Sequence, residues 1–510
     1  MPFIDLNTKD ADSFLIPTSD ITIIGAGAAG ILLAIKLANQ GKSVVLFESG
    51  HFFEDEKRQE LNEVVQTGKV MQNVVWGRKR AIGGTTIAWG GQSLPFTSID
   101  FEKREWVQNS GWPISYNEMD EYYKEANTFM GIDILNYNND IFPKISLKNP
   151  GIDPSIFDFH VSKWATQPNF FIKHKVELEN KITVIYNSQV TSIHKTGDRV
   201  DTITVYNFVN SYFTCSVNTL IISCGTIETS RLLLNSNIGN HSGWLGKTFM
   251  EHPCIEIGTI KSKNSYELQR YFNTHVWKGH KYSVRLTLSR KFQQENKLLN
   301  CSTSVMFQLP TETFDPYSEL KAFKKDLKFS RIVKLSGSVK SILKTTWAYI
   351  THKFYFKPNT IAKLVLMIEQ EPIKESYISL SDKKDKFQIL GALINWNISL
   401  KTWDTVIKTS TALKNQIENL NLGNVELYAH IKEDTPNWNK YLSDVCHHMG
   451  GTRISSTPED GVVNKNLQIW GISNLYICSC SVFPTSSHSN PTLTLLALGL
   501  KLCNHLNEEK

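Results

Sequence analysis

The 510-residue chain has no run of 18 or more apolar residues, which excludes a membrane-spanning helix of ordinary length. Its first twenty residues carry Asp5, Asp10, Asp12 and Asp20 and no apolar core segment, so a secretory signal peptide is not expected. Net charge is only +6, which argues against nucleic acid as the main partner. The eight cysteines (Cys215, Cys224, Cys254, Cys301, Cys446, Cys478, Cys480 and Cys503) form no Cys-x-x-Cys pair, so zinc ribbons and c-type haem attachment have no support. Cys478 and Cys480 read as two buried thiols, and with a reducing compartment as the default a cytoplasmic location is the expectation. Internal repeats and low-complexity tracts are absent too. What remains is an ordinary globular composition, 41% hydrophobic and 20% charged, long enough for two or three packed units.

The organised part opens as strand, turn and helix. Ile21 to Ile24 is a β-branched run, Gly25-Ala-Gly27-Ala28-Ala29-Gly30 follows at once, and Ile31 to Asn39 has helical character with Gly41 placed to cap it. Val44 to Phe47 is a second strand, ending at Glu48. This βαβ start implies a parallel sheet with helices on its faces. The middle differs in kind. Ile182–Tyr186, Val200–Tyr206, Ser216–Ser223, Ile255–Ile260, Ser283–Leu288, Met367–Ile368, Tyr377–Leu380 and Leu393–Asn397 read as strands of an antiparallel sheet. The end returns to the first style, with a buried-type strand at Leu475–Cys480 and an apolar helix over Pro491–Leu506.

The fold class is therefore α/β: a discontinuous Rossmann-like dinucleotide domain plus an α+β substrate domain on an antiparallel sheet. The expected boundaries are 1–105, 180–260 and 440–510 for the nucleotide unit, and 106–179 and 261–439 for the substrate unit. A basic insertion is expected at about 315–360 within the latter.

Gly25, Gly27 and Gly30 match G-x-G-x-x-G in the right context. The first permits a tight turn, the second lets backbone approach a pyrophosphate, and the third allows close helix–sheet packing. Unpaired N–H groups at the helix N-terminus suit the anion. Glu48, 18 residues beyond Gly30, can accept hydrogen bonds from a ribose and would repel a 2′-phosphate. The loop alone does not separate FAD from NAD. A second glycine-rich stretch does: Gly83-Gly84-Thr85-Thr86-Ile87-Ala88-Trp89-Gly90-Gly91 reads as backbone lying flat against a ligand. No second G-x-G-x-x-G exists for a separate NAD(P)H domain. One dinucleotide with an extended second contact means flavin.

Four separated blocks together resemble the glucose–methanol–choline (GMC) oxidoreductase family over most of the chain. They are Gly25 to Glu48; Gly83 to Pro95; Ser223-Cys-Gly-Thr-Ile-Glu-Thr-Ser-Arg-Leu-Leu-Leu234; and His447-His-Met-Gly-Gly-Thr-Arg453 with Ser481-Val-Phe-Pro-Thr-Ser-Ser-His-Ser-Asn-Pro-Thr-Leu-Thr494. Glu369-Gln-Glu-Pro372, Ser376–Leu380 and Trp396 look like the family's middle sheet, and the wording is closest to bacterial sugar dehydrogenase and pyranose-oxidase-like members. The resemblance implies an FAD site at Gly25, Gly27, Ala28, Ala29, Gly30 and Glu48, with Gly83, Gly84, Thr85, Pro491 and Thr492 nearer the flavin. It also implies an adenine contact at Val190, a catalytic base at His447 and its partner at Asn490. His448 and His488 compete with these last two. Ala88 stands where some members carry a flavin-linked histidine, so the FAD is expected to be non-covalent. Ser479 stands where many have an aspartate, which leaves the local ribityl contact open.

Alcohol oxidation removes a hydride from carbon and a proton from oxygen. A flavin takes the hydride at N5; a histidine suits the proton at neutral pH, and an asparagine amide can fix the substrate oxygen. The expected activity is FAD-dependent oxidation of a sugar or polyol hydroxyl, with oxygen or an external acceptor taking the electrons. A non-redox lyase-like enzyme of the same fold, or oxidation of an aliphatic alcohol or sterol, is the alternative. His241, His252 and His352 read as packed core histidines, and no metal-ligand spacing appears.

One stretch is not absorbed by this reading. Residues 321–357 hold ten Lys or Arg and one acid, Asp326, interleaved with apolar residues. They read as a solvated helical insertion, with a lid, an oligomer contact or peripheral docking on an anionic membrane as alternatives.

Overall fold

The computed structural model describes residues 3–310 and 339–508, so residues 321–338 of the basic stretch lie outside the described part. A six-stranded parallel sheet is assembled from distant pieces of chain. Its order is Phe3–Asp5, Thr183–Tyr186, Val44–Phe47, Ile21–Ile24, Thr219–Ile222 and Leu475–Ile477. The central strands Ile21–Ile24 and Val44–Phe47 are buried throughout, the continuous apolar pattern that a sheet covered on both faces requires.

The helix Ala28–Asn39 buries Ile31, Leu32, Leu33, Ile35 and Leu37 against this sheet. Each such side chain contributes about 1.5–3 kcal/mol on full burial. It ends where Gly41 adopts φ +86° and Lys42 N–H donates to the Leu37 carbonyl, a glycine-terminated C-cap. The helix Thr492–Glu508 packs beside it, and at the crossing a Cβ on Gly499 would lie 3.1 Å from Leu32 Cδ2.

The second sheet is antiparallel and eight-stranded. Its path runs Asn424–Leu427, Cys254–Lys261, Ile361–Ile368, Cys301–Gln308, His280–Leu288, Phe157–Trp164 and Gln92–Ser93, with Thr274–Trp277 added beside His280–Leu288. The helix Leu400–Asn419 lays Trp403, Val406, Leu413 and Ile417 into the same apolar core as Leu364 and Leu366 of this sheet.

Several strand expectations change. Ile182–Tyr186 was expected in the antiparallel sheet, but Thr183–Tyr186 pairs in parallel with Phe3–Asp5 and Val44–Phe47, and Arg199–Tyr206 pairs with Gln189–Thr196 and Tyr212–Ser216 in a separate three-stranded antiparallel sheet. Ser216–Ser223 is not one strand: Tyr212–Ser216 ends one antiparallel sheet and Thr219–Ile222 begins in the parallel one, with Val217 and Asn218 turning the chain between them. Tyr377–Lys384 and Leu390–Trp396 form a hairpin outside the large sheet; Leu390–Trp396 instead pairs in parallel with Val64–Gly68. Alternation of buried and exposed residues sets a strand's facing but does not name its neighbour.

Of the basic stretch, the helix Val339–His352 is described. Ala348 is buried, while Val339, Leu343, Trp347 and Ile350, at helical spacing, are each half exposed or more. Its exposed surface is thus mixed, these apolar side chains lying beside exposed Lys340, Lys344, Thr346 and Thr351. Among the described residues no helix is long and apolar enough to cross a membrane.

Candidate active site

The glycine loop leaves the strand Ile21–Ile24 between its two neighbours. Gly25 N–H donates to the Phe47 carbonyl, and Ser223 N–H donates to Ile24. Each glycine has a different physical reason. Gly25 has φ +99°, and a Cβ there would meet Ser223 at 2.8 Å; at Gly30 it would lie 1.9 Å from the Gly25 carbonyl oxygen. Gly27, at the helix N-cap with φ −83°, would meet nothing within 4 Å. The first and third glycines are required by the protein itself. The second faces open space, the cradle that a dinucleotide phosphate fits.

The second glycine stretch closes directly on the first. Gly83 N–H donates to the Ala26 carbonyl at 2.8 Å, and a Cβ on Gly84 would stand 2.8 Å from Gly27 Cα. Thr85 is the second residue of the short 3-10 turn Gly84–Ile87, with Thr86 buried and donating through its hydroxyl to Gly83 O.

Glu48 is buried and its carboxylate accepts from Ala26 N–H at 2.9 Å and Gly50 N–H at 2.7 Å. Burial raises its pKa, against the lowering by those N–H groups and by Arg80. Its oxygens thus clamp the glycine loop to the end of the strand Val44–Phe47. Val190 lies at the start of the strand Gln189–Thr196, two residues after Ser188, whose hydroxyl donates to Glu48 O.

Beside this region sits a buried charge cluster that the sequence did not flag. Arg80 reaches Ser49, Asn62 and Gln189 and pairs with Glu228 at 2.8 Å; Arg78 and Arg231 contact the same carboxylate. Burial opposes ionisation of Glu228, but Arg80, Arg231 and Arg78 outweigh it and hold the pKa at about 2. The cluster ties the second glycine stretch to the helix Gly225–Asn235.

The opposite wall comes from the C-terminal third. The segment around His447 is threaded between two others: Met449 exchanges both backbone hydrogen bonds with Met250, and Gly450 N–H donates to Cys480 O. Gly450 has φ +78° and a Cβ there would lie 2.0 Å from Thr248 O, which is why glycine follows the His-His-Met run.

His447 Nε2 lies 3.3 Å from Asn490 Nδ2, its Nδ1 lies 2.9 Å from His252 Nδ1, and its backbone N–H donates to Glu251 Oε1 at 2.8 Å. Burial pushes His447 well below the usual histidine pKa, with His252, His448 and Arg285 adding to the shift.

The two competitors face elsewhere. His448 points at Glu251 Oε2, 3.5 Å away, and stacks on Phe249. Burial pushes its pKa down to about 3 and raises Glu251 to about 8, so at pH 7 both are neutral and the contact is not an ion pair. His488 meets His160 through Nε2 and Nδ1 at 3.0 Å. Within the segment His488–Asn490, three buried polar atoms have no hydrogen-bond partner: Asn490 Oδ1, Ser489 Oγ and His488 Nδ1. Buried polar groups are normally paired, so this concentration marks a place where a ligand supplies the partners. Pro491 and Thr492 open the helix Thr492–Glu508, presenting its N-terminal backbone beside Asn490.

His252 was read as a core histidine, and it is fully buried; its contact with His447 was invisible in the sequence. It is 195 residues from His447 in the chain, and the backbone exchanges of Met250 with Met449 and of Cys254 with Ser443 bring the two segments together.

The parallel sheet with its glycine loop defines a dinucleotide-binding protein. A family model described as NAD(P)-binding Rossmann-like domain matches residues 23–53, and one described as GMC oxidoreductase matches residues 372–499. The chain is similar to the fructose dehydrogenase large subunit of Gluconobacter japonicus, 22% identical, covering 95% of this chain and 97% of that one. It is also similar to 2-methyl-1,2-propanediol dehydrogenase of Mycolicibacterium austroafricanum, 20% identical and covering 96% and 95%. Among solved structures, pyridoxine 4-oxidase from Mesorbium loti aligns over 96% of this chain and 99% of its own at a TM-score of 0.57 and 13% identity, a likeness of fold. The two family-model matches together with these near full-length relatives support membership of the GMC oxidoreductases, FAD-dependent enzymes acting on CH–OH donors.

Proposed function

We propose that this enzyme oxidises a hydroxyl of a sugar or polyol, with His447 as general base and Asn490 as the group that orients the substrate oxygen. The observation that carries the reading is the convergence of His447 Nε2 and Asn490 Nδ2 at 3.3 Å, beside an Asn490 Oδ1 without a partner. Bound FAD supplies the hydride acceptor. His447 takes the alcohol proton at Nε2, and a base placed in this way contributes about 10²–10⁴-fold. Asn490 donates to the same oxygen and holds the reacting carbon in one orientation.

Gly25, Gly27, Ala28, Ala29, Gly30 and Glu48 hold the adenosine and pyrophosphate end, with Val190 at the adenine. Gly83, Gly84, Thr85, Pro491 and Thr492 border the flavin end. The residue at position 88 is alanine, so the cofactor is held without a covalent link. The parallel sheet and its helices form the FAD unit and the antiparallel sheet the substrate unit. Electrons pass on to oxygen or an external acceptor, in a cytoplasmic setting.

A sugar-like substrate is favoured by the cavity of about 470 Å³ between the antiparallel sheet and the helix Tyr116–Met130. Its wall carries Asn127, Tyr137, Asp158, His160, Gln293 and Asn300, a dense set of hydrogen-bonding groups. His160 links this wall to the Asn490 segment through His488. Turnover of a panel of sugars, polyols, aliphatic alcohols and sterols with an artificial electron acceptor tests the reading. The best substrate is expected among the sugars and polyols, and a preference for sterols or long aliphatic alcohols contradicts it.

A further inference from the structure

His447 has two ring nitrogens, and a general base needs a particular one of them bare. We propose that His252 is a positioning residue that locks His447 in the tautomer with a proton on Nδ1 and a lone pair on Nε2. This rests on the reading of His447 as the base and says what keeps it competent.

The derivation starts from an atom with no choice. The Ser486 backbone carbonyl can only accept a hydrogen bond, and His252 Nε2 lies 3.1 Å from it, so Nε2 carries a hydrogen. A neutral imidazole has a single N–H, which leaves His252 Nδ1 as a bare acceptor. That acceptor is 2.9 Å from His447 Nδ1, which must therefore be the donor. His447 Nε2 is left unprotonated, facing Asn490 Nδ2 at 3.3 Å.

Both rings are held neutral by their surroundings. Burial pushes His252 down to about 4, and Arg285 acts in the same direction on both histidines. The two ring planes are nearly perpendicular with centroids 5.1 Å apart, a separation that fits two Nδ1 atoms facing one another at 2.9 Å.

The pair is also fixed from below. Glu251 Oε1 accepts the backbone N–H of His252 and that of His447, each at 2.8 Å, so one oxygen sets the spacing of the two residues. When His447 takes the alcohol proton at Nε2, its Nδ1–H bond to His252 becomes charge-assisted, and such bonds are roughly twice as strong as neutral ones. His252 thus does for His447 what a carboxylate does in a triad, but as a neutral acceptor.

Removing the acceptor strands a buried N–H on His447 and favours the opposite tautomer, which has no lone pair at Nε2. The experiment compares wild type, His252→Phe and His252→Gln as FAD holoenzymes in anaerobic flavin reduction by the best alcohol. The expected result for His252→Phe is a limiting reduction rate about 10- to 100-fold lower, with substrate Kd and flavin content unchanged. His252→Gln, whose amide can donate to Ser486 O and accept from His447, restores most of the rate.

A second readout needs no turnover: ¹⁵N NMR of histidine-labelled protein, with His447→Gln assigning the resonance. In wild type His447 should show a protonated Nδ1 and a bare Nε2, reversed in His252→Phe. Equal reduction rates in wild type and His252→Phe, or a protonated Nε2 in wild type, overturn the proposal. If wild type reduces no flavin with any alcohol, the reading of His447 as base fails, while the spectrum still decides the tautomer.

Discussion

Two glycines three residues apart should fail for opposite reasons when each is changed to alanine. At Gly30 the new Cβ would lie 1.9 Å from the Gly25 carbonyl oxygen, more than 1 Å inside any tolerable contact, and the obstacle is backbone that cannot swing aside. Overpacking of that kind costs about 1–3 kcal/mol or more, and it displaces the loop itself. At Gly27 the Cβ meets no protein atom within 4 Å, and φ of −83° suits alanine. The apoprotein should tolerate Gly27→Ala to within about 1 kcal/mol, since lost N-cap preference and reduced unfolded-state freedom oppose each other.

FAD is another matter. The Cβ occupies the space that the pyrophosphate needs, and losing one charge-assisted N–H contact there costs about 1.5–3 kcal/mol, or roughly 10- to 100-fold in affinity. Thermal unfolding of both apoproteins, together with flavin-to-protein absorbance after gel filtration, separates the two effects. Gly27→Ala should match wild type in apo stability and lose flavin, whereas Gly30→Ala should lose both. Full flavin content in Gly27→Ala would refute the assignment of the cradle.

Two further outcomes follow from buried charge. Burial holds His160, His252, His275, His447, His448 and His488 below their usual pKa in the folded state. The unfolded chain therefore binds protons first, and stability present above pH 6.5 is lost as the pH falls, by about 1.4 kcal/mol per histidine at pH 5.5. Glu251, raised to about 8, and Glu48, also raised by burial, work the other way and return part of this, so a net fall in stability is expected between pH 7.5 and 5.5, readable by denaturant titration at each pH. Separately, Arg104 pairs with Glu369 through two contacts of 2.5 and 2.7 Å at essentially zero exposure, so Glu369→Gln should destabilise by about 3–5 kcal/mol in the same assay.

The glycine loop, the second glycine stretch and the βαβ start were legible because their spacing is dictated by local sterics. Gly25, Gly30 and Gly450 each sit where a side chain would collide with backbone, and a sequence records such needs directly. The mixture of a parallel and an antiparallel sheet was readable from continuous against alternating apolar runs. Strand partnership was not, as the detached hairpin Tyr377–Trp396 demonstrates, because pairing depends on the surfaces a strand meets after the chain has folded. His252 and the Arg78–Arg80–Arg231–Glu228 cluster escaped for a related reason. The contacts that reveal them join residues far apart in the chain, 150 positions for Arg78–Glu228 and 195 for His252–His447, and no local pattern marks a buried arginine as paired. Met-Glu-His-Pro before a strand was the available hint for His252, but a single histidine in a buried run has many explanations.

The central claim is that His447 removes the proton when an alcohol gives its hydride to FAD. Anaerobic mixing of the holoenzyme with its best alcohol, followed at the flavin absorbance, tests it without any electron acceptor. Wild type should bleach rapidly, and His447→Ala, with the same flavin content, should bleach about 10²–10⁴-fold more slowly. Equal bleaching rates in the two proteins would contradict the account.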